Sequence, residues 1–274
     1  MTRTDRIQID YTLEFSSPFH CGTGVRRGLI DRSVMRDGGG YLYVPGTTIK
    51  GVVRELCEQL ARFYEDSDEK LRKRIASPHD KAIALSDLGS KPTLVTRIFG
   101  SQIRSGHLFF NDAQQTPADK DRYGVNEKSE AKDVKEAKTR YQDMQTDLYT
   151  QVRLDRPTRT AVRGALYSSE FGVRKLSFQG SIVGVLECLP LNEDVDEFFQ
   201  GKDNVPTYSL LLLLAGLHMV ERLGGNKSTG KGECCCRITK LRLNGVEIGP
   251  ERLKDWLHHL QVLSYYSLML EEEA

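Results

Sequence analysis

The chain has 274 residues, of which 28% are charged and 39% hydrophobic, and its formal net charge is +1. This balance excludes a disordered tail protein, a collagen and a histone-like polycation, and it is typical of a globular protein of one or two domains. A chain of this length can bury a core without disulfides or metals.

The longest apolar run, at positions 210–220, has about half of the ~20 residues that cross a bilayer. Positions 1–10 are charged and lack the apolar centre of a signal peptide. We therefore expect a cytoplasmic protein with no membrane partner.

The six cysteines are too few for a disulfide scaffold, and none has the Cys-x2-4-Cys spacing of a zinc site. Three of them are consecutive, Cys234 to Cys236, so on a strand the middle thiol points away from its neighbours. Only a pairing such as His20 with Cys21 is left as a candidate set of zinc ligands.

The first half of the chain begins with apolar residues that alternate over positions 7–15 and predict a strand with one buried face. The Gly- and Arg-rich positions 16–47 predict a long loop that carries a short hairpin, and loops of this length are usually functional. Helical spacing of apolar residues predicts an amphipathic helix over 48–64. We interpret positions 66–105 as a charged connection and 108–110 as a short strand.

The second half starts with positions 113–150, which are almost wholly polar and predict an insertion that contributes little core. Positions 175–189 predict a strand. Positions 209–222 predict a helix that ends before a pair of glycines. A last strand is predicted over 233–243, followed by the tight-turn dipeptide Asn244-Gly245.

The predicted order is strand, helix, strand, strand, helix, strand. This is the split βαβ of a ferredoxin-like (RRM-like) α+β fold, with a large insertion between the second and third strands. A Gly-rich loop precedes the last core strand. Because this fold supports many functions, the function has to be argued from particular segments.

The first such segment is the Gly-rich loop at positions 222–233. Residues 225–231 fit the Gly-x4-Gly-Lys part of a P-loop, but Gly232 stands where a hydroxyl residue should bind magnesium. The segment also follows a helix and precedes a strand, the reverse of a P-loop, so we exclude a nucleotide hydrolase. We predict a phosphate-binding loop instead, with a plain connector as the alternative. Its candidate RNA-binding residues are Gly225, Lys227, Ser228 and Lys231.

The second segment, at positions 19–36, combines small residues with arginines that suit a phosphate backbone. These candidates are Arg26, Arg27, Arg32 and Arg36. A single carboxylate, Asp31, lies among them and is kept ionised by their charge. It could hold a divalent metal or act as a base toward a ribose 2′-hydroxyl. The alternative is an ion-pair partner that only orients Arg32 or Arg36.

The third segment, at positions 44–51, is a turn that enters the first helix. Free amides at a helix start, together with Thr47, Thr48 and Lys50, form a natural phosphate site. A simple helix cap is compatible with the same residues.

The fourth segment, at positions 151–167, has arginines at 153, 156, 159 and 163 and a single acidic residue, Asp155. Such a basic patch on a neutral protein indicates nucleic acid binding, and we take Arg153, Arg156 and Arg163 as candidates. A solvated hairpin is the alternative.

Taken in order, the four segments resemble the RAMP superfamily of CRISPR-associated proteins, specifically the backbone subunit of type III effector complexes. The resemblance extends over most of the chain. Its motifs are His20 with the glycines after it, Ile30-Asp31 with Val34 and Arg36-Asp37, Pro-Gly-Thr-Thr-Ile-Lys-Gly at 45–51, Arg-Ile-Phe-Gly at 97–100, Gly-His-Leu-Phe-Phe-Asn-Asp at 106–112, Asp-Arg-Pro-Thr at 155–158 with Thr160-Ala161, and Gly224-Gly225 with Gly230-Lys-Gly232. Ser33 stands where the family usually has proline.

The resemblance implies a single RAMP domain over 1–274 whose core is the palm, with a thumb insertion at 113–172. It implies that copies stack along a guide RNA, beside other CRISPR effector subunits, and that His20 belongs to the RNA-binding residues. It also places Asp31 at the position of the aspartate that cuts the paired target RNA with Mg²⁺ or another divalent metal.

Two alternatives remain open. The chain is either a non-cleaving RNA-binding scaffold, with Asp31 structural, or a guide-processing endoribonuclease that uses His20 as its general acid or base.

Overall fold

The computed structural model describes residues 3–64, 93–102, 104–123, 144–188, 191 and 198–266. The strands are β1 (Arg3–Phe15), β2 (Tyr43–Val44), β3 (Leu108–Phe110), β4 (Ala113–Gln115), β5 (Thr146–Asp155), β6 (Thr160–Gly172), β7 (Ser177–Cys188), β8 (Cys234–Leu243) and β9 (Val246–Ile248). The helices are α1 (Gly46–Tyr64), α2 (Leu94–Phe99), α3 (Pro117–Tyr123), α4 (Tyr208–His218) and α5 (Pro250–His258), with 3₁₀ turns at Lys227–Thr229 and Leu260–Tyr265.

The central sheet has the strand order β3-β7-β1-β8, and every one of these pairs is antiparallel. Since β1 and β3 both lie against β7, they run parallel to each other and are connected through α1. In the same way, β7 and β8 flank β1 and are connected through α4. This arrangement confirms the predicted α+β class and is consistent with a ferredoxin-like core.

The core forms where the buried face of β1 meets α1 and α4. The alternating side chains of β1, from Ile7 to Phe15, are buried as predicted. All residues from Tyr208 to Leu217 in α4 are buried, because the sheet, α1 and α5 surround this helix. Each fully buried Leu contributes about 1.5–3 kcal/mol of transfer free energy. No helix in the described part of the chain is long and apolar enough to cross a membrane.

Two elements differ from the expectations. The predicted connection contains α2, whose six residues are all buried and whose first turn is capped by the Thr93 side chain. The predicted polar insertion begins with β4, which joins the central sheet through β7 and buries Ala113 and Gln115. The polar composition of this stretch gave a wrong prediction of exposure. Gln115 can be buried because its amide donates a hydrogen bond to Gln145, 30 residues away. Positions 66–92 and 124–143 lie outside the described residues.

The second long helix is shorter than predicted, because α4 ends at His218 and not at position 222. The glycine pair therefore lies in the loop beyond the helix and does not cap it. The tight turn at Asn244-Gly245 is confirmed, and both residues have positive φ angles.

Candidate nucleic-acid interface

Strands β5 and β6 form a two-stranded hairpin that is separate from the central sheet. Its side chains are largely exposed towards the turn, and become buried at the root over Ser169–Gly172. Arg153, Arg156 and Arg163 are all exposed along this hairpin. The fourth segment is thus a solvent-facing hairpin that carries positive charge. This agrees both with a surface that binds nucleic acid and with a merely solvated hairpin.

Asp31 is held at the root of the hairpin by backbone contacts with β6. Its amide donates to the carbonyl of Ser168 at 3.0 Å, and its Oδ2 accepts the Ser168 amide at 2.9 Å. The next residue, Arg32, forms a parallel bridge with Ser169. The chain therefore runs beside β6 at this point, and we call residues 31–36 the Asp31 loop.

The second carboxylate oxygen of Asp31 faces an arginine. Oδ1 lies 3.3 Å from Nε of Arg26, whose side chain is 80% exposed, whereas the Asp31 side chain is 29% exposed. Arg27 and Arg32 are also exposed. Of the four arginines predicted in this segment, Arg26 therefore contacts Asp31, a carboxylate that a ligand can reach, and two more are exposed close to it in the sequence.

The fourth arginine, Arg36, is turned inwards. Its side chain is only 9% exposed and its Nη2 lies 2.6 Å from Oε1 of the buried Glu170, while Nη1 donates to the carbonyl of Gly40. In this structure the guanidinium contacts protein groups, so its position favours a supporting role over phosphate contact. Sequence reasoning singled out Arg36 for its charge and missed Glu170, which had no local signal.

His20 is buried beside the same hairpin root. Its Nδ1 lies 2.7 Å from the carbonyl of Glu170, and since a carbonyl only accepts, Nδ1 carries the proton and Nε2 the lone pair. Burial lowers the pKa of His20, and Arg32 lowers it further. A Cβ on Gly22 would lie 2.5 Å from Nε2, so this position requires glycine. A neutral imidazole whose Nε2 carries the lone pair disfavours the role of general acid, whereas the role of general base stays a prediction.

The proposed zinc pairing of His20 with Cys21 has no support in this geometry. Burial raises the pKa of the Cys21 thiol to about 12, and Cys21 is only 4% exposed. Within the described ranges, no three His, Cys, Asp or Glu side chains are grouped to hold a metal ion.

The Gly-rich loop, residues 222–233, packs against the residues before Asp31. The amide of Gly225 donates to the carbonyl of His20 and the amide of Gly232 to that of Pro18, both at 2.8 Å. Both amides, which were expected to face a phosphate, thus have protein acceptors. Ser228 is exposed in the 3₁₀ turn.

The two lysines of the Gly-rich loop point to different neighbours. Nζ of Lys231 lies 4.4 Å from the ring centre of Tyr149 and 5.4 Å from that of Phe171, which attaches the loop to the hairpin. Nζ of Lys227 lies 3.7 Å from Oε2 of Glu55 on α1, in an exposed ion pair. The Gly-rich loop thereby connects the hairpin, the residues before Asp31 and α1.

The start of α1 contains the third segment. The Gly46 amide donates to Oδ1 of Asp112 at 2.8 Å, so a protein carboxylate already caps the helix start. Thr47 is exposed, while Thr48 and Lys50 are half-buried. Burial lowers the pKa of Lys50, and the nearby Arg54 lowers it further. The start of α1 therefore has both a cap and exposed polar groups. Both interpretations of this segment, a helix cap and a phosphate site, stay open.

Comparison with known proteins gives one family. The sequence model of the RAMP superfamily matches residues 12–235, a span that contains all four segments. No curated protein has a significant match to the chain.

Proposed function

This chain belongs to the RAMP superfamily, whose members are CRISPR-associated RNA-binding proteins, and we propose that it is a guide-RNA-binding backbone subunit of a type III effector complex. In this role it binds neighbouring copies, other effector subunits and target RNA, and it cuts the target at Asp31. The single observation that carries this proposal is a reachable carboxylate that is fixed at the root of a basic hairpin and paired with an exposed arginine.

RNA binding rests on the exposed cations. Arg26, Arg27 and Arg32 are exposed in the segment that contains Asp31, and the hairpin adds its own arginines. Guanidinium groups bind phosphate oxygens in bidentate fashion. Since these contacts read the backbone, the sequence of the target is read by base pairing with the guide, as in other RNA-guided systems.

The chemistry follows from the two oxygens of Asp31. Oδ2 is held by Ser168, whereas Oδ1 faces only the exposed side chain of Arg26 in the contacts described. In the proposed reaction the ribose 2′-oxygen bonds to the adjacent phosphorus and the bond from phosphorus to the 5′-oxygen breaks. Oδ1 takes the 2′-hydroxyl proton and water protonates the leaving oxygen. The products are a 2′,3′-cyclic phosphate and a 5′-hydroxyl end. Arg26, once released, stabilises charge on the phosphate.

The donor set fits a magnesium ion that is shared with RNA. Asp31 offers one carboxylate, and Mg²⁺ is usually held by one or two carboxylates together with substrate phosphates and water. We propose that Asp31 holds it in this way. When bound, the ion would supply charge stabilisation at the phosphate.

The test is cleavage of labelled complementary RNA by the assembled guide complex with magnesium. We expect Asp31→Ala to assemble and to bind target, but to cut about 10²- to 10⁴-fold more slowly, as for loss of a general base. Asp147→Ala removes an exposed carboxylate from the same hairpin and should cut like wild type. Equal cutting by wild type and Asp31→Ala would refute the catalytic assignment.

A non-cleaving scaffold is the second candidate. It is favoured by the fact that both carboxylate oxygens of Asp31 already have protein partners, Arg26 and Ser168. In that case Asp31→Ala would lower the stability of the hairpin root and leave cutting to another subunit.

A further inference from the structure

We propose that Glu170, a buried carboxylate on β6, is a positioning residue that holds the Asp31 loop in its working conformation. This inference rests on the proposed cleavage function. Glu170 is only 5% exposed, so it does not itself reach RNA.

The carboxylate of Glu170 binds three groups from two segments. Oε2 accepts the Val34 amide at 3.0 Å, and Oε1 accepts Nη2 of Arg36 at 2.6 Å. Oε1 also accepts the hydroxyl of Thr146 on β5 at 2.9 Å. One side chain thus joins the Asp31 loop to both strands of the hairpin.

The backbone of Glu170 extends the same connection. Its amide donates to the carbonyl of Arg32 at 2.9 Å, and its carbonyl accepts from Nδ1 of His20 at 2.7 Å. Alternate residues of the loop, 32, 34 and 36, are therefore all attached at one position of β6. Asp31 begins this loop and is attached two residues earlier on the same strand, at Ser168.

The charge of Glu170 matters as well as its shape. Burial alone would raise the pKa of Glu170, but the hydrogen bonds from Val34 and Arg36 outweigh it and keep the group ionised. A neutral amide in its place would leave the buried guanidinium of Arg36 without a counter-charge on β6. The charge-assisted hydrogen bond from Arg36 would be lost, and the amide would keep only one acceptor oxygen for Val34 and Arg36, so the loop would be held less tightly and would carry Asp31 with it.

The test compares Glu170→Gln with Glu58→Gln in the assembled guide complex. Glu58 pairs with Arg54 at 2.9 Å on α1, so this control also removes a carboxylate from an arginine pair, outside the Asp31 loop. We expect Glu170→Gln to load guide and to bind target with unchanged affinity. Its single-turnover cutting rate at saturating target should fall at least tenfold, while Glu58→Gln cuts like wild type.

A second measurement does not depend on cutting. Hydrogen exchange of the peptide that contains residues 31–36 should speed up in Glu170→Gln and stay unchanged in Glu58→Gln. If wild type cuts no target, the proposed function fails, whereas the exchange result still decides whether Glu170 orders the loop. A Glu170→Gln rate within twofold of wild type, or unchanged exchange, would overturn the positioning role.

A milder variant covers the case in which Glu170→Gln does not load guide. Thr146→Val keeps the side-chain shape and removes one hydrogen bond to the carboxylate. It should cut at least threefold more slowly, with faster exchange of residues 31–36. Wild-type behaviour in both measurements would again contradict the proposal.

Discussion

The packing of α1 against α4 depends on Gly216. A Cβ at this position would lie 2.4 Å from Sγ of Cys57, whereas carbon atoms pack at about 3.5–4.0 Å. Gly216→Ala therefore forces the helices apart by about 1 Å, and overpacking of this kind costs about 1–3 kcal/mol. Alanine gains about 1 kcal/mol over glycine in a helix interior. We expect a net loss of up to about 2 kcal/mol of unfolding free energy.

The effect of Gly216→Ala on the unfolding free energy should change sign when the sulfur of Cys57 is removed. In a Cys57→Ala background the clash with the sulfur is gone and the next atoms, the Val53 carbonyl oxygen and the residue 57 amide nitrogen, lie at 3.4 and 3.6 Å, which is ordinary contact, so Gly216→Ala should stabilise the chain by about 1 kcal/mol through helix propensity alone. Urea unfolding of the four proteins, followed by circular dichroism, gives the coupling energy between the two sites. We expect at least about 1 kcal/mol, above the ~0.5 kcal/mol within which independent sites add.

Gly51 supplies the matched control. It is exposed on α1, and a Cβ there would meet no atom within 4 Å. Gly51→Ala should therefore stabilise both backgrounds equally, by about 1 kcal/mol. Additive effects of Gly216→Ala and Cys57→Ala would refute the close approach of the two helices.

Three further predictions concern the site and the strand beside it. Arg27→Ala should reduce the slope of log affinity for single-stranded guide RNA against log salt by about 0.7, measured by fluorescence anisotropy, whereas the buried Arg36→Ala should leave the slope unchanged. Because the folded-state pKa of Glu170 is lowered, its contribution to stability is present above the unfolded value of about 4.3 and is lost as pH falls through the folded value. The difference in unfolding free energy between wild type and Glu170→Gln, measured by urea titration, should therefore become smaller below about pH 4.3. A difference that stays constant with pH would contradict this ionisation. A maleimide reagent should label exposed Cys235, located by peptide mass spectrometry, and spare its two buried neighbours on β8, since burial raises the pKa of both to about 12.

Local patterns were sufficient for much of the fold. The alternation in β1, the helical spacing in α1 and the Asn244-Gly245 turn each depend on residues that are close in sequence, and all three are present in the structure. The exposed middle cysteine of β8 follows from the same two-residue period. The four candidate segments were also recognisable, because glycine, arginine and hydroxyl residues are concentrated in them.

The tertiary structure decided the roles of individual residues within those segments. Arg26 and Arg36 belong to the same Arg-rich loop, yet one is exposed beside Asp31 and the other is buried on Glu170. The difference arises because the loop adds to β6, and the partner strand determines which side chains face inwards. Glu170 is separated from Arg36 by 134 residues, so no local pattern could connect them. The sequence by itself therefore determined which segments are candidates for the chemistry, and long-range strand pairing determined which of their side chains are exposed and which are buried.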